Sequence, residues 1–164
     1  TWACYLIARH PKVQAILHSE VDEVLQGAMP VLADLPKLKY ATMVLKEAMR
    51  LYPPIWIIER TSVNDDEIVG YHIPARTMVV VSPYALHRTA KYWEEPEQFV
   101  PERFADETAI ARFSYLPFGG GPHLCIGNNF AMMESQFALA MIAQRFRLHL
   151  VSDAVVKAKP VRRN

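Results

Sequence analysis

Residues 118–127 read FGGGPHLCIG and gather four of the chain's six glycines around Cys125, one of its two cysteines. Glycine opens the left-handed region of backbone space and lets the chain approach another group closely, so this clustering beside one thiol calls for tight turns, a close neighbour, or both. The stretch that follows, IGNNFAMMESQFALAMIAQRFRLHL, has the length and apolar content of one long, largely buried helix. A helix start directs free N–H groups and the positive end of its dipole outward, and that setting favours thiolate over thiol. Three readings of Cys125 stay open on this ground: an inert buried cysteine, a redox or nucleophilic one, and a metal ligand. Two others fall. A phosphate loop needs a Gly-Lys-Ser/Thr ending or the dinucleotide fingerprint after a strand, and the stretch has neither. A zinc site needs a second Cys or His pair at finger-like or ribbon-like spacing to join His123 and Cys125, and the sequence offers none.

The bulk composition narrows the class further. The chain has 164 residues, 51% of them hydrophobic, which is enough for a real core in one domain or part of one. A formal net charge of +1 supplies no field to attract a polyanion, so no nucleic-acid partner is expected. Cys4 and Cys125 lie far apart and fit a reducing compartment rather than a disulfide scaffold. No run of about 18 apolar residues is present, so no visible segment spans a membrane, and a cytoplasmic location is the expectation. The opening TWACYLIARH is apolar, too short to span, and ends at His10-Pro11; it reads as the tail of a helix begun upstream.

Working back from the glycines, the pattern predicts a mainly α chain with small β-sheets. Pro11 suits a helix first turn and Gly27 a left-handed close, with Val13, Ile16, Leu17, Val21, Val24 and Leu25 on one buried face and Lys12, Glu20, Asp22 and Glu23 mostly toward water. MPVLADLPKLKY is a Pro-broken connector with one short turn. A second helix runs through KYATMVLKEAMRLY until Pro53-Pro54 stops it. From Ile55 short β-branched runs, IWIIERTSV, IVGYHI and TMVVVS, predict two or three strands of one small sheet. PYALHRTAKYWEEPEQFVPERF predicts a short helix and then an ordered meander, and the final KAKPVRRN is polar and basic with no closing element.

Glu47 and Arg50 stand three apart on the second helix, so they share a face, where such a pair is ordinarily a surface feature worth a few tenths of a kcal/mol. They are followed by EPEQFVPERF, with Pro96, Phe99, Pro101, Glu102, Arg103 and Phe104, and then by PFGGGPHLCIGNNFAMME. In this order, over essentially the whole chain, the sequence resembles the cytochrome P450 family of haem-thiolate enzymes.

The resemblance implies that residues 1–164 are the C-terminal part of a single cytochrome P450 domain: the end of the long distal helix, the Glu-x-x-Arg helix, a small sheet, the meander, the Cys loop and the long proximal helix. It implies haem b (iron protoporphyrin IX) as cofactor and Cys125 as its proximal thiolate ligand, pushing electron density onto iron to promote O–O cleavage. Gly121 and Gly127 match the loop glycines that permit the tight turn and the close approach of helix to porphyrin, with Gly119 and Gly120 as extra freedom. Phe118 matches the aromatic that shields the sulfur. His123 stands where the commonest pattern has Arg and is expected to hydrogen-bond a haem propionate; Arg brings a permanent charge and a fork of donors, His a charge that varies with pH. Arg60 matches a second propionate-binding position. Glu47, Arg50 and Arg103 match a structural ion-pair triad that locks the helix to the meander. Ile55, Trp56, Ile57 and Ile58 fall where the family places a substrate-contacting strand, alternate residues of which face the core instead.

Trp2, Tyr5, Leu6, Ala8, His10 and Pro11 match the ending that leads out of the distal helix. The oxygen-activating Thr of the family is therefore expected upstream; Thr1 is not it. The expected reaction is insertion of one oxygen atom from O2 into an apolar organic substrate, with electrons from a ferredoxin or flavin reductase. A peroxide-dependent peroxygenase or a hydroperoxide isomerase is the alternative with the same cofactor, and a non-catalytic piece is the alternative for these residues alone.

Overall fold

The computed structural model describes residues 1–152 together with Val156 and Ala158. Apart from Ala158, the KAKPVRRN expectation falls outside them. The chain is mainly α with small antiparallel sheets: α1 Trp2–Arg9, α2 Pro11–Leu25, α3 Lys39–Leu51, β1 Ile58–Thr61, β2 Asp66–Ile68, β3 Tyr71–Ile73, β4 Met78–Val81, α4 Pro83–Leu86 and α5 Asn128–Arg145. Short 3-10 turns carry Leu32–Lys37, Pro101–Phe104 and Gly121–His123.

One core joins the four longer helices. Leu6 and Ile7 of α1, Leu17 and Val21 of α2, Val44 and Leu51 of α3, and Leu139 and Ala140 of α5 are buried against each other. Polar clasps then fix how the helices sit. The Glu20 carboxylate of α2 accepts the N–H groups of Tyr40 at 2.6 Å and Ala41 at 2.9 Å, satisfying two of the donors left open at the start of α3. The Gln14 amide accepts from Leu148 N–H at 2.6 Å and donates to the Leu148 carbonyl at 3.1 Å, which ties the chain leaving α5 to α2. Glu20, expected toward water, is thus half-buried, and Gln14 and His18 take core positions in place of Ile16, which is exposed.

The remaining departures have local causes. Gln26, not Gly27, is the left-handed residue that ends α2 (φ 48), and Gly27 continues the turn at φ 85. The strands number four among the described residues, in two separate two-stranded ladders rather than one small sheet. β1 pairs β4 with Ile58 opposite Val81 and Arg60 opposite Val79; β2 pairs β3 across a turn at Val69-Gly70. The first strand starts at Ile58, so Ile55, Trp56 and Ile57 lie ahead of it. In α5 only Leu139, Ala140 and Ala143 are buried, because α2 and α3 cover one side of the helix and its other faces lie half or fully open.

Candidate active site around Cys125

The Cys125 loop is closed by backbone. Cys125 N–H donates to the Phe118 carbonyl at 3.0 Å, Leu124 N–H to the Gly121 carbonyl at 3.1 Å, and Asn128 N–H, the first of α5, to the Cys125 carbonyl at 3.3 Å. Gly119 and Gly121 have φ of 77 and 68, a region where an L side chain is strained, so both are needed as glycine for the turn. Gly119 therefore does more than add freedom. Gly127 has no such φ, and a methyl there meets only the Cys125 sulfur at 3.8 Å, ordinary contact. Its lack of a side chain leaves space on the thiol rather than serving the turn.

Cys125 is an exposed, unpaired thiol, and so is the half-buried Cys4 unpaired. Around Cys125 the surface is apolar: Leu124, Ile126 and Phe130 are exposed, Ile126 completely. Phe118 is half-buried at the foot of the loop. The Ile58 side chain of β1 reaches the loop, its Cδ1 lying 3.9 Å from where a Gly119 methyl would be. Arg60, two residues along the same strand, shares that face, and its Nη1 donates to the Glu59 carbonyl at 2.8 Å. Arg60 and His123 are both exposed. Of the expected substrate wall, Ile58 is brought to the loop; Ile55 is exposed, and Trp56 and Ile57 are half-buried ahead of the strand, with the Trp56 carbonyl held by Ser82 Oγ at 3.0 Å.

Among the described residues no group of three His, Cys, Asp or Glu side chains converges as a metal cage. The donor set is one thiol on an open apolar face, bordered by an arginine strand and a histidine. That set fits a metal whose other ligands come from a flat organic ring bearing carboxylates, and haem is such a group.

Behind the loop, Glu47 and Arg50 are fully buried, contrary to the usual surface pair. Arg50 Nε and Nη2 fork onto Glu47 at 2.7 and 2.8 Å; Nη1 donates to the carbonyls of His87 and Pro96, both at 2.7 Å, and Nη2 also to Gln98 at 3.0 Å. All five guanidinium protons are used. Glu47 also accepts from Val100 N–H at 3.0 Å, and Arg103 Nε lies 3.5 Å from it, an ion pair without a hydrogen bond. Arg103 donates instead from Nη2 to the Glu95 carbonyl at 3.0 Å. These three side chains thus hold α3 against a meander that has no ladder of its own. The guanidinium of Arg50 also lies 5.1 Å from the Trp93 ring centroid.

His87 is a fully buried polar residue that sequence reasoning missed. It follows α4, and its ring bonds to α3 and to Leu116, partners too distant in sequence to leave a local pattern. Burial pushes its pKa down from 6.5 to about 4, helped by the charges of Arg50 and Arg88 and opposed by backbone bonds to Arg50 and Met49. The unfolded chain therefore takes up a proton near pH 6.5 that the folded chain refuses until about pH 4. This contribution to stability is complete above about pH 6.5, falls as pH drops through that window, and changes no further below it. The expected loss is on the order of 3 kcal/mol, measured as the acid-dependent fall in denaturation free energy that His87→Gln removes.

The cytochrome P450 family model matches residues 1–162. Cyclooctatin synthase of Streptomyces melanosporofaciens is 44% identical over 98% of this chain and 35% of its own length. Cyclooctat-9-en-7-ol 5-monooxygenase of the same organism is 41% identical over 90% of this chain and 32% of its own. Cytochrome P450 3A13 of Mus musculus is 40% identical over 97% of this chain and 32% of its own. The chain spans about a third of the length of these curated relatives.

Proposed function

The chain belongs to the cytochrome P450 family, and we propose that it is the C-terminal, thiolate-bearing part of a haem-thiolate monooxygenase acting on an apolar small molecule. The carrying observation is the single exposed thiol of Cys125, set by a tight glycine loop on an apolar face with no competing metal cage among the described residues. Cys125 ligates the iron of haem b, which when bound supplies the activation of oxygen. His123 and Arg60 hold the propionates as donors on exposed positions beside the loop. Phe118, which accepts the Cys125 N–H through its carbonyl, keeps water from the sulfur with its ring. Gly121 makes the turn, and Gly127 leaves room on the thiol for the ring to lie close. Ile58, with Ile55, Trp56 and Ile57 leading into it, supplies apolar surface that favours a hydrophobic substrate.

Electrons come from a separate donor protein, a ferredoxin or a flavin reductase. The monooxygenase named among the relatives supports oxygen insertion over the peroxide-dependent alternative. Among the described residues no helix is long and apolar enough to cross a membrane. The test is the carbon monoxide difference spectrum of the reduced, haem-loaded full-length protein. A strongly red-shifted Soret band is expected; an unshifted band, or no haem uptake, overturns the reading.

A further inference from the structure

His87 is fully buried, and its ring joins two segments on which the Cys125 loop depends. Leu116 N–H donates to Nε2 at 2.8 Å, so that nitrogen carries no proton. The neutral ring keeps its proton on Nδ1, which faces the Arg50 carbonyl at 3.2 Å. Arg50 reciprocates, donating from Nη1 to the His87 carbonyl at 2.7 Å. Leu116 is the threshold of the loop. Its carbonyl accepts Gly119 N–H at 3.3 Å, and the next bond in the series is Cys125 N–H to the Phe118 carbonyl at 3.0 Å.

We propose that His87 is a positioning residue for the Cys125 loop: its neutral ring pins the Leu116 backbone to the end of α3, and the turn that presents the thiol is built outward from that pin. The consequence for the loaded enzyme rests on Cys125 being the iron ligand; the pin itself is a property of the polypeptide. Protonating the ring sets a second N–H against the Leu116 N–H and breaks the pin. Backbone bonds to Arg50 and Met49 favour that event, and the Tyr115 ring lies with its centroid 5.2 Å away; the charges of Arg50 from α3, already paired with Glu47, and of Arg88 next in the chain oppose it. Burial adds to those charges, holding the ring neutral down to about pH 4. The pin is therefore intact at neutral pH and released in acid.

Two amides separate the ring's two bonds. In His87→Gln the side-chain oxygen reaches the place of Nε2 and still accepts from Leu116. In His87→Asn the shorter amide reaches only the place of Nδ1 and serves the Arg50 carbonyl alone. Amide hydrogen exchange of the haem-loaded full-length protein is read over residues 116–125, with α2 as internal reference. His87→Asn is expected to speed exchange in the loop by about tenfold, the equivalent of one lost hydrogen bond, with α2 unchanged and His87→Gln at the parental rate. The red-shifted carbon monoxide band of His87→Asn should also be lost at less acid pH than that of the parent. Equal loop exchange in all three proteins overturns the proposal, as does a rise in His87→Asn that loop and α2 share. If His87→Asn does not fold, the parent must lose loop protection on acidification toward pH 4 while His87→Gln keeps it, and equal loss overturns the proposal. A red-shifted band that survives Cys125→Ala removes the ligand assignment but leaves the exchange result standing, so the two failures are distinguishable.

Discussion

Replacing Glu47 with Gln is expected to cost about 3–5 kcal/mol of stability, read as the shift in denaturant midpoint at constant slope. The substitution is nearly isosteric and removes one charge. It leaves the Arg50 guanidinium with no counter-ion at a fully buried position and turns an amide N–H toward a fork of N–H donors. By contrast, Lys37 and Asp34 form a pair at 3.1 Å with side chains 60% and 16% exposed, and Lys37→Ala should cost less than about 1 kcal/mol. A buried ion pair can often be exchanged for apolar residues without loss, but that route is closed here. Glu47→Leu with Arg50→Met would orphan the Val100 N–H and the carbonyls of His87, Pro96 and Gln98, which the pair now satisfies. The double variant is therefore expected to remain at least as unstable as Glu47→Gln. Full recovery in the double variant would show that charge, rather than backbone satisfaction, is what the pair contributes.

Cys125→Ser should produce the opposite profile. The loop is closed through backbone groups of Cys125, Phe118 and Asn128, and the side chain is exposed, so stability should change by no more than about 0.5 kcal/mol. The hydroxyl is not ionised near neutral pH and cannot replace a thiolate as an electron-rich ligand. The red-shifted carbon monoxide band should disappear, and oxygenation by the full-length enzyme should fall by more than about 100-fold, beyond what losing an outer partner of a metal ligand costs. Retention of the red-shifted band in this variant would move the ligand elsewhere. Glu47→Gln loses stability; Cys125→Ser keeps its stability and loses the spectrum and the activity.

The elements that announce themselves by local pattern were legible. α3 shows as an apolar face ended by Pro53-Pro54, and Cys125 is marked by glycines of which Gly119 and Gly121 adopt left-handed φ. Features set by distant chain were not. Spacing puts Glu47 and Arg50 on one face but says nothing of depth, which comes from the meander closing over them. The β2–β3 hairpin turns at Val69-Gly70, and Val69 at φ 52 is a residue that sterics disfavour there, so the run read as one strand. His87 and Leu116 are joined by the fold alone. Glu20 is an acid on a polar-looking face until α3 arrives with its open N–H groups.

That last contact reaches further than its two hydrogen bonds. α3 is gripped at its first turn by Glu20 and near its last by the carbonyls around Arg50, so both its rotation about its own axis and its sliding along it are arrested, like a shaft keyed at each end. A helix free at one end could turn and carry Glu47 away from Val100. Keyed at both, it couples α2 to the meander, and the two are expected to lose amide protection together rather than in sequence when hydrogen exchange is followed in rising denaturant.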